Sequence, residues 1–600
     1  MRGVSYVAAP IAALILIPSL ALTAFAAGSG RGWGLSIFSA HAVRFFFGCE
    51  IIGAIFGTMF GLIGGLYRRV RPRASTPGPL ATTHRPTPVP GNQPEASLPI
   101  ETDLRPSPGP FWPWLVGTLV LLALVSAFGT GFFLGRSVDR RLADAIKAAD
   151  LDDPSWRIDD LMAAREPVPD DENSALVVAE VLELLPEEWR HGSSPFPGES
   201  QMPPGEFIAA TRRLGATPDN VRLDEATADR LRSELETHAA AVGIARTIAD
   251  YRRGRHELKL GPTLIDTLLP ETQASRTVVR LLEVDAAVRA HDGDLDSALD
   301  SCRAMIGVGR SIGDEPFNIS QLVRISEGHL ALKSARRALG QGAPTDPALA
   351  RLQALVLDEL AQPVMLHSLK GERATLSEII RRIRDGEMPI SALSEGTQPF
   401  DPDAPRELIA PWGRLMFDNQ RAVGLEWTNK MVAIAKQPDP ARPPLIEAWQ
   451  AEVERVKRGR FMALTSALPL LLTPSLDAFT LAESRYHCQL GSMAILLAAE
   501  RHRLKTGDWP NSIAAIDLGF LAVAPVDPFT GKAFRMERRD GQLLIYSVGP
   551  NREDEHGAVA PGQQTKFGPD DYGTGAWDVP LRRQTPGPGA ENPARSPDLP

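Results

Sequence analysis

The 600-residue sequence predicts a mainly α protein: three N-terminal transmembrane helices, a large α-helical extracytoplasmic domain, and a small C-terminal α+β unit of one helix and a β-hairpin. Three observations predict it. Three early apolar runs each have the roughly 20 residues needed to cross a hydrocarbon core. The long middle of the chain spaces its apolar residues as helices do and carries helix-capping residues. Near the end, Asp540-Gly541 lies between two strand-like runs as a two-residue hairpin turn.

The runs are Val4–Ala27, Phe45–Tyr67 and Phe111–Leu134. The first also reads as a cleaved signal peptide, because Arg2 precedes it and Ala24-Phe25-Ala26 resembles a cleavage site. Residues 1–67 thus hold two spans, and 111–134 the third. Arg68, Arg69, Arg71 and Arg73 follow the second span, with Arg85 and Arg105 in the same loop. Positive charge stays inside, so the 68–110 loop is expected in the cytoplasm and the large C-terminal part outside it, from an inner-membrane, multi-pass anchor in the lipid bilayer. Arg136, Arg140 and Arg141 argue the other way, although long domains cross largely regardless of charge.

Glu50, an acid within the second span, reads either as a functional intramembrane carboxylate or, lying one turn from the start of the span, as a side chain that can reach the interface. Gly53, Gly57, Gly61, Gly64 and Gly65 form a small-residue stripe that lets helices approach closely, either within the protein's own bundle or as a homo-oligomer face. The 68–110 linker is proline-rich and poor in large apolar residues, an extended tether.

A net charge of −9 with 23% charged residues excludes a chain-wide basic surface, and no nucleic-acid partner is expected. Cys49, Cys302 and Cys488 lie far apart without a CxxC pair, which points to buried, unpaired thiols.

Residues 135–473 read as the helical domain. In DPSWRIDDLMAAREPVPDDENSALVVAEVLELLP, two short helices flank Pro167 and Pro169, and Asp170, Asp171 and Asn173 cap the second. Asp224 to Leu258 reads as one long helix. HDGDLDSALDSCRAMIGVGRSI places Gly293, Asp294, Ala298 and Leu299 as in a tetratricopeptide helix pair; with one legible unit, the expectation is stacked antiparallel helices. The apolar stretch 461–476 contains Pro469 and Pro474 and suits a buried core segment better than a fourth span.

The C-terminal unit, 474–580, begins with a helix at Leu476–Lys505, whose Phe479, Tyr486, Leu490, Met493, Leu497 and Leu504 form one buried stripe. Gly507 and Pro510 end it. Asp527-Pro528-Phe529-Thr530-Gly531 is a turn. Counting outward from Asp540-Gly541 pairs Arg538 with Leu543, Met536 with Ile545 and Phe534 with Ser547, so one hairpin face is apolar and covers the helix around 486–497. Residues 581–600 read as a disordered tail.

AERHRLKTGDWPNSI, PVDPFTGKAF, LLIYSVGPN and DDYGTGAWDVPL occur in the order and approximate spacing of a known domain. The last hundred or so residues resemble the C-terminal globular domain of the type II secretion major pseudopilin, and the whole chain is similar to large bacterial membrane proteins that end in such a tail. The resemblance implies calcium after the hairpin, on Asn551, Asp570 and the adjacent Asp571, with the Val548 carbonyl available. The chain departs from the family in two ways: Asn551 stands where an acid is usual, and the loop to Asp570 is longer. Fewer charged ligands weaken calcium, which takes about six to eight oxygens, and the other reading is a polar loop with solvated acids.

The sequence contains no HExxH and no Walker loop; Gly309-Arg310-Ser311-Ile312-Gly313 has the G-x-S-x-G spacing but falls in a stretch read as helix, not at a strand-to-helix turn, so no nucleophile elbow is expected. His487 and Cys488 are neighbours on a helix, where successive side chains point about 100° apart, and they read as structural. The expected function is a non-enzymatic, membrane-anchored envelope scaffold or interaction protein that holds envelope proteins at the bilayer. The alternative is a membrane-anchored extracytoplasmic hydrolase with scattered residues, distinguishable by a deep pocket that gathers ionisable groups of perturbed pKa.

Overall fold

The third apolar run is helical and does not stop at Leu134. In the computed structural model, which describes residues 111–186, 206–393, 409, 411–459, 465–557 and 571–586, helix α1 runs from Phe111 to Asp152 over 42 residues. At 1.5 Å per residue that is about 63 Å. No glycine-proline stop follows Leu134, and the charged continuation Arg136–Asp152 is as good a helix former as the apolar run. The runs Val4–Ala27 and Phe45–Tyr67, Glu50, the glycine stripe and the 68–110 linker lie outside the described residues.

The two halves of α1 have opposite surroundings. From Trp114 to Leu134 the apolar side chains face outward, with Phe128 78% exposed. Further along, Ala145 and Ala149 are buried with Trp156 and with Leu425 of a later helix. One end of the helix therefore packs on no core, and the other end is part of one.

The helical body follows. Helices α2 (Ile158–Ala163) and α3 (Ser174–Leu184) flank the proline pair as expected. Asn173 caps α3, its side chain accepting from the Ala175 N–H at 3.1 Å, while Asp170–Glu172 form a single 3-10 turn before it. Helices α4 (Glu206–Ala216), α5 (Glu225–Thr237) and α6 (Ala239–Thr247) come next. The long helix expected over 224–258 is thus a correction: it breaks at His238 and ends in a 3-10 turn at Ile248–Asp250. Beyond it the backbone at Arg253–Arg255 is clamped to α3: Ser174 N–H donates to the Arg253 carbonyl at 3.1 Å, and Asn173 accepts from the Arg255 N–H at 2.8 Å. Tertiary hydrogen bonds override the local helix preference.

Helices α7 (Pro270–Asp292) and α8 (Leu295–Ser311) form the expected helix pair. Gly293 ends α7 at φ 90°, a conformation suited to glycine, and Asp294 caps α8 through the Ser297 N–H. Helices α9 (Asn318–Gln341), α10 (Asp346–Leu360), α11 (Val364–Arg384), α12 (Pro411–Ala435) and α13 (Arg442–Arg458) complete the body. α9 packs on both α7 and α8, α11 packs on α12, and α12 packs on α1.

Helix α14 (Ala467–Thr506) is 40 residues long and takes residues 467–476 of the apolar stretch into its first turns, Pro469 lying in the first turn, where missing N–H groups cost nothing. It packs on α9 and α10, so a single hydrophobic core runs from Val178 in α3 through Leu497 to Ile545 and Ala576. Phe479, Tyr486, Leu490, Met493 and Leu497 are buried as the stripe requires. Leu504 is a correction: at 39% exposed it lies in the last turn, beyond the core. Gly507 ends the helix at φ 91°.

Three antiparallel strands follow in the order β1-β2-β3, with β2 and β3 packed on α14: β1 (Arg535–Arg539), β2 (Gln542–Ser547) and β3 (Tyr572–Trp577). Arg538 pairs with Leu543 and Met536 with Ile545 as expected. Phe534 falls just before β1, so its expected pairing with Ser547 lies outside the ladder, and its ring instead packs against Gly491 of α14. Asp540 and Gly541 have φ of 50° and 73°, the two positive values of a type I′ turn. The sequence does not predict β3, since its two glycines, Gly573 and Gly575, weaken strand propensity. They let β3 lie close on β2, whose backbone a Cβ at Gly573 would strike.

The tail expected to be disordered from 581 is held through its first residues. Gln584 bridges Val221, and Arg583 donates to the His291 carbonyl at 2.9 Å.

Candidate functional site

The loop after β2 is where the resemblance implies calcium. The Asp527 turn anchors its base: Asp527 accepts from the Phe529 N–H at 2.9 Å, from Thr530 Oγ1 at 2.7 Å and from Ser547 Oγ at 2.7 Å, while Ser547 Oγ accepts from the Gly549 N–H. Asn551 and Asp571 do reach the same loop, but through a residue between them. Asn551 Nδ2 donates to Glu555 Oε1 at 2.6 Å, its oxygen accepts from the Glu553 N–H at 3.0 Å, and Glu555 in turn meets Asp571. Asp571 is buried, and its Oδ2 accepts from the Gly557 N–H at 2.8 Å. Burial pushes its pKa up to about 6, helped by Glu555 and Asp554 and opposed by the Gly557 N–H.

Asp571 Oδ1 and Glu555 Oε2 are buried without a donor. One proton shared between two carboxyls satisfies both, the ordinary behaviour of paired acids. Asp570 lies outside the described residues. Among the described residues no group of three or more His, Cys, Asp or Glu that could hold a metal ion is found, and Asn551 Oδ1 already accepts from the Glu553 N–H, so the described residues alone do not make up a calcium set of about six ligands.

His487 and Cys488 point apart as expected. His487 Nδ1 meets Asp439 at 2.7 Å and Nε2 meets Glu483 at 3.3 Å, and Arg442 joins both acids. Burial pulls the His487 pKa down, but Glu483 and Asp439 outweigh it and hold the ring above its ordinary value. Cys488 is buried beside Asp527, which with burial pushes its thiol well up and keeps it protonated. Cys302 is likewise buried and unpaired.

A polar seam that the sequence does not reveal crosses the centre of the body. Arg310 and Arg324 both grip Glu359, at 2.6 and 2.9 Å, and all three are buried. Nearby, Glu327 accepts from Ser275 Oγ at 2.7 Å and leaves its second oxygen unpaired, and burial pushes its pKa up to about 8. Glu315 accepts from Thr272 and is pushed up by burial in the same way. Tyr486 of α14 stands against Gly328, where any Cβ would overlap its ring, and edge-on to His329. That glycine beside Glu327 is the one sequence trace of the close approach.

A cavity of about 1010 Å³ lies elsewhere, between α1 and α12 just past the exposed apolar run. Phe132, Phe133, Arg136, Arg140, Arg141 and Lys430 line it. Arg141 forks onto Glu426 with two contacts of 2.7 Å, and Lys430 binds Glu452. A second cavity, of about 10 Å³, sits by Glu283 and Lys333. Neither is lined by Glu315, Glu327 or Glu359.

Comparison with protein-family models, with curated proteins and with solved structures finds no match to this chain.

Proposed function

We propose that the chain is a non-enzymatic envelope scaffold, a multi-pass inner-membrane protein that holds its helical body and pseudopilin-like C-terminal unit outside the cytoplasm to dock other envelope proteins. The observation that carries this reading is α1. Its window of highest mean hydropathy, 2.1, has none of its residues buried, and side chains such as Leu122, Val125 and Phe128 face outward. A helix apolar on every side and packed on no core is stable in lipid and costly in water. The same helix continues into the body, so the anchor and the folded part share one unbroken element.

The orientation rests on the arginines at 68, 69, 71 and 73. The glycine stripe of the second span offers a homo-oligomer face. Two of the buried acids of the body, Glu359 and Glu315, are held in an ion pair and a hydroxyl hydrogen bond, a structural use that fits the scaffold reading. The hydrolase reading draws on the raised pKa of Glu327, an acid that lines neither cavity.

Crosslinking in intact bacterial cells, followed by isolation in mild detergent, tests the proposal. The chain should come out bound to other envelope proteins. Recovery of the chain alone, together with hydrolysis of model ester or peptide substrates that is lost in Glu327→Gln, would support the hydrolase instead.

A further inference from the structure

The geometry points to a binding site for the phosphodiester headgroup of an anionic phospholipid in the cavity between α1 and α12. This rests on the reading of α1 as a membrane span. The cavity begins where the exposed apolar run ends: Phe132 and Phe133 form its apolar wall, and Arg136 and Arg140 follow at four-residue steps from Phe132, hence on one helix face. Along that face the surroundings change from acyl chain to headgroup within about two turns, or roughly 11 Å. The order of side chains matches the order of chemistry in a phospholipid.

The charges in the cavity are not equivalent. Arg141 is used up by its fork on Glu426, which Asn419 also steadies at 3.2 Å, and Lys430 by Glu452. Arg136 and Arg140 have no carboxylate partner among the described residues. Arg136 sits instead over the Phe132 ring, its guanidinium carbon 5.7 Å from the centroid, which holds the side chain at the rim without spending its five donors. Two unspent guanidinium forks at the level of the lipid phosphates are suited to bind a phosphate bidentately, as a lysine would not. Asp144 also lines the cavity, one turn beyond Arg140 and further from the apolar run. It closes the inner end to anions and leaves the rim as the cationic part.

A free phosphate ion offers the same oxygens but no acyl chains for Phe132 and Phe133, so the lipid is the occupant to which the two aromatic side chains and two arginines together correspond. A neutral phospholipid carries its own cation beside the phosphate and gains less from the arginines. Juxtamembrane basic residues each contribute about fivefold in affinity for anionic lipid, so removing both should cost about 30-fold.

The test uses the full chain, purified in detergent and titrated with short-chain phosphatidylglycerol or phosphatidylcholine, with bound lipid counted by native mass spectrometry. The wild type should retain one phosphatidylglycerol in preference to phosphatidylcholine, and the R136Q/R140Q variant should lose that preference. The K147Q variant, which removes an exposed cation of the same helix outside the cavity, should keep it. Equal retention of the two lipids by the wild type, or undiminished selectivity in R136Q/R140Q, would overturn the site. Displacement of the lipid by millimolar inorganic phosphate would also overturn it, by showing an anion site indifferent to acyl chains. Alkaline carbonate extraction of membranes separates the two levels: a chain that stays embedded but lacks selectivity refutes the lipid site alone, and a chain released as soluble protein refutes the membrane reading with it.

Discussion

Arg582 closes a fork on Glu500, with Nη1 to Oε1 at 2.7 Å and Nη2 to Oε2 at 3.0 Å, both side chains buried. Arg582 follows β3, and Glu500 belongs to the last turns of α14. Arg503 adds a second fork at 2.7 and 2.9 Å. Burial works against the Glu500 charge, but the two arginines hold its pKa below the ordinary carboxylate range. The segment after the sheet is thereby locked to the long helix.

Arg582→Ala should therefore destabilise the chain by about 3 kcal/mol, the lower end of the cost of breaking a buried pair, because Arg503 still partners Glu500. The apparent melting temperature of the full chain in detergent should fall clearly. Removing both partners in an E500M/R582M variant should recover much of the loss. An unchanged melting temperature in the single variant would show that the fork contributes little.

Ile545→Asp should unfold the sheet. Ile545 is fully buried on the face of β2 that covers α14, and an unpaired carboxylate there costs several kcal/mol. Limited proteolysis reads the effect: cleavage should appear in 534–577, whereas wild-type resistance would mean that this face is not needed for packing.

Glu327 sets a pH dependence. Burial raises its folded pKa from 4.5 to about 8, against the Ser275 hydroxyl and Arg276, so the folded state holds the proton more tightly than the unfolded one. Its contribution is complete below pH 4.5 and is lost as pH rises through about 8. Melting measured between about pH 6 and pH 9 should drop more steeply in the wild type than in Glu327→Gln, which is neutral throughout. Parallel curves would mean that Glu327 is already ionised in the folded state.

Calcium at millimolar concentration should change the melting temperature little, because specific binding stabilises in proportion to the logarithm of concentration over Kd, and around Asp571 and Glu555 the described residues form no group that could hold a metal ion, the nearby Asp554 being engaged by Tyr546 and Arg535. Asp571→Asn should stabilise the protein at neutral pH: the folded pKa of about 6 lies above the ordinary 3.8, so ionisation across that window costs stability. A rise of many degrees with calcium, abolished by Asp571→Asn, would restore the metal.

Local chemistry is legible in the sequence. The cap at Asn173, the Gly293-Asp294 pair, Gly507, the turn closed by Asp527 on the Phe529 N–H and the Asp540-Gly541 hairpin are local contacts made within a few residues, and each stands where the sequence predicts it. Features set by distant partners are not legible. The clamp of Asn173 on Arg255 holds the chain beyond Asp250 out of the expected helix, and Gly573 and Gly575 conceal β3 because its stability comes from β2. Glu327 and Glu359 look like surface residues of ordinary helices until α7, α10 and α14 close over them. At the candidate calcium loop, the sequence points to Asn551 and Asp571 but not to Glu555, which joins them; only the fold brings 555 to 571.

The most direct test of the scaffold proposal is the side of the membrane on which α1 emerges. Two reporters, one active only in the cytoplasm and one only outside it, are each fused after Leu134 in a chain truncated there. The extracytoplasmic reporter should be active and the cytoplasmic one silent, as the arginines at 68–73 require. Activity of the cytoplasmic reporter alone would place the helical body inside the cell and contradict an envelope scaffold.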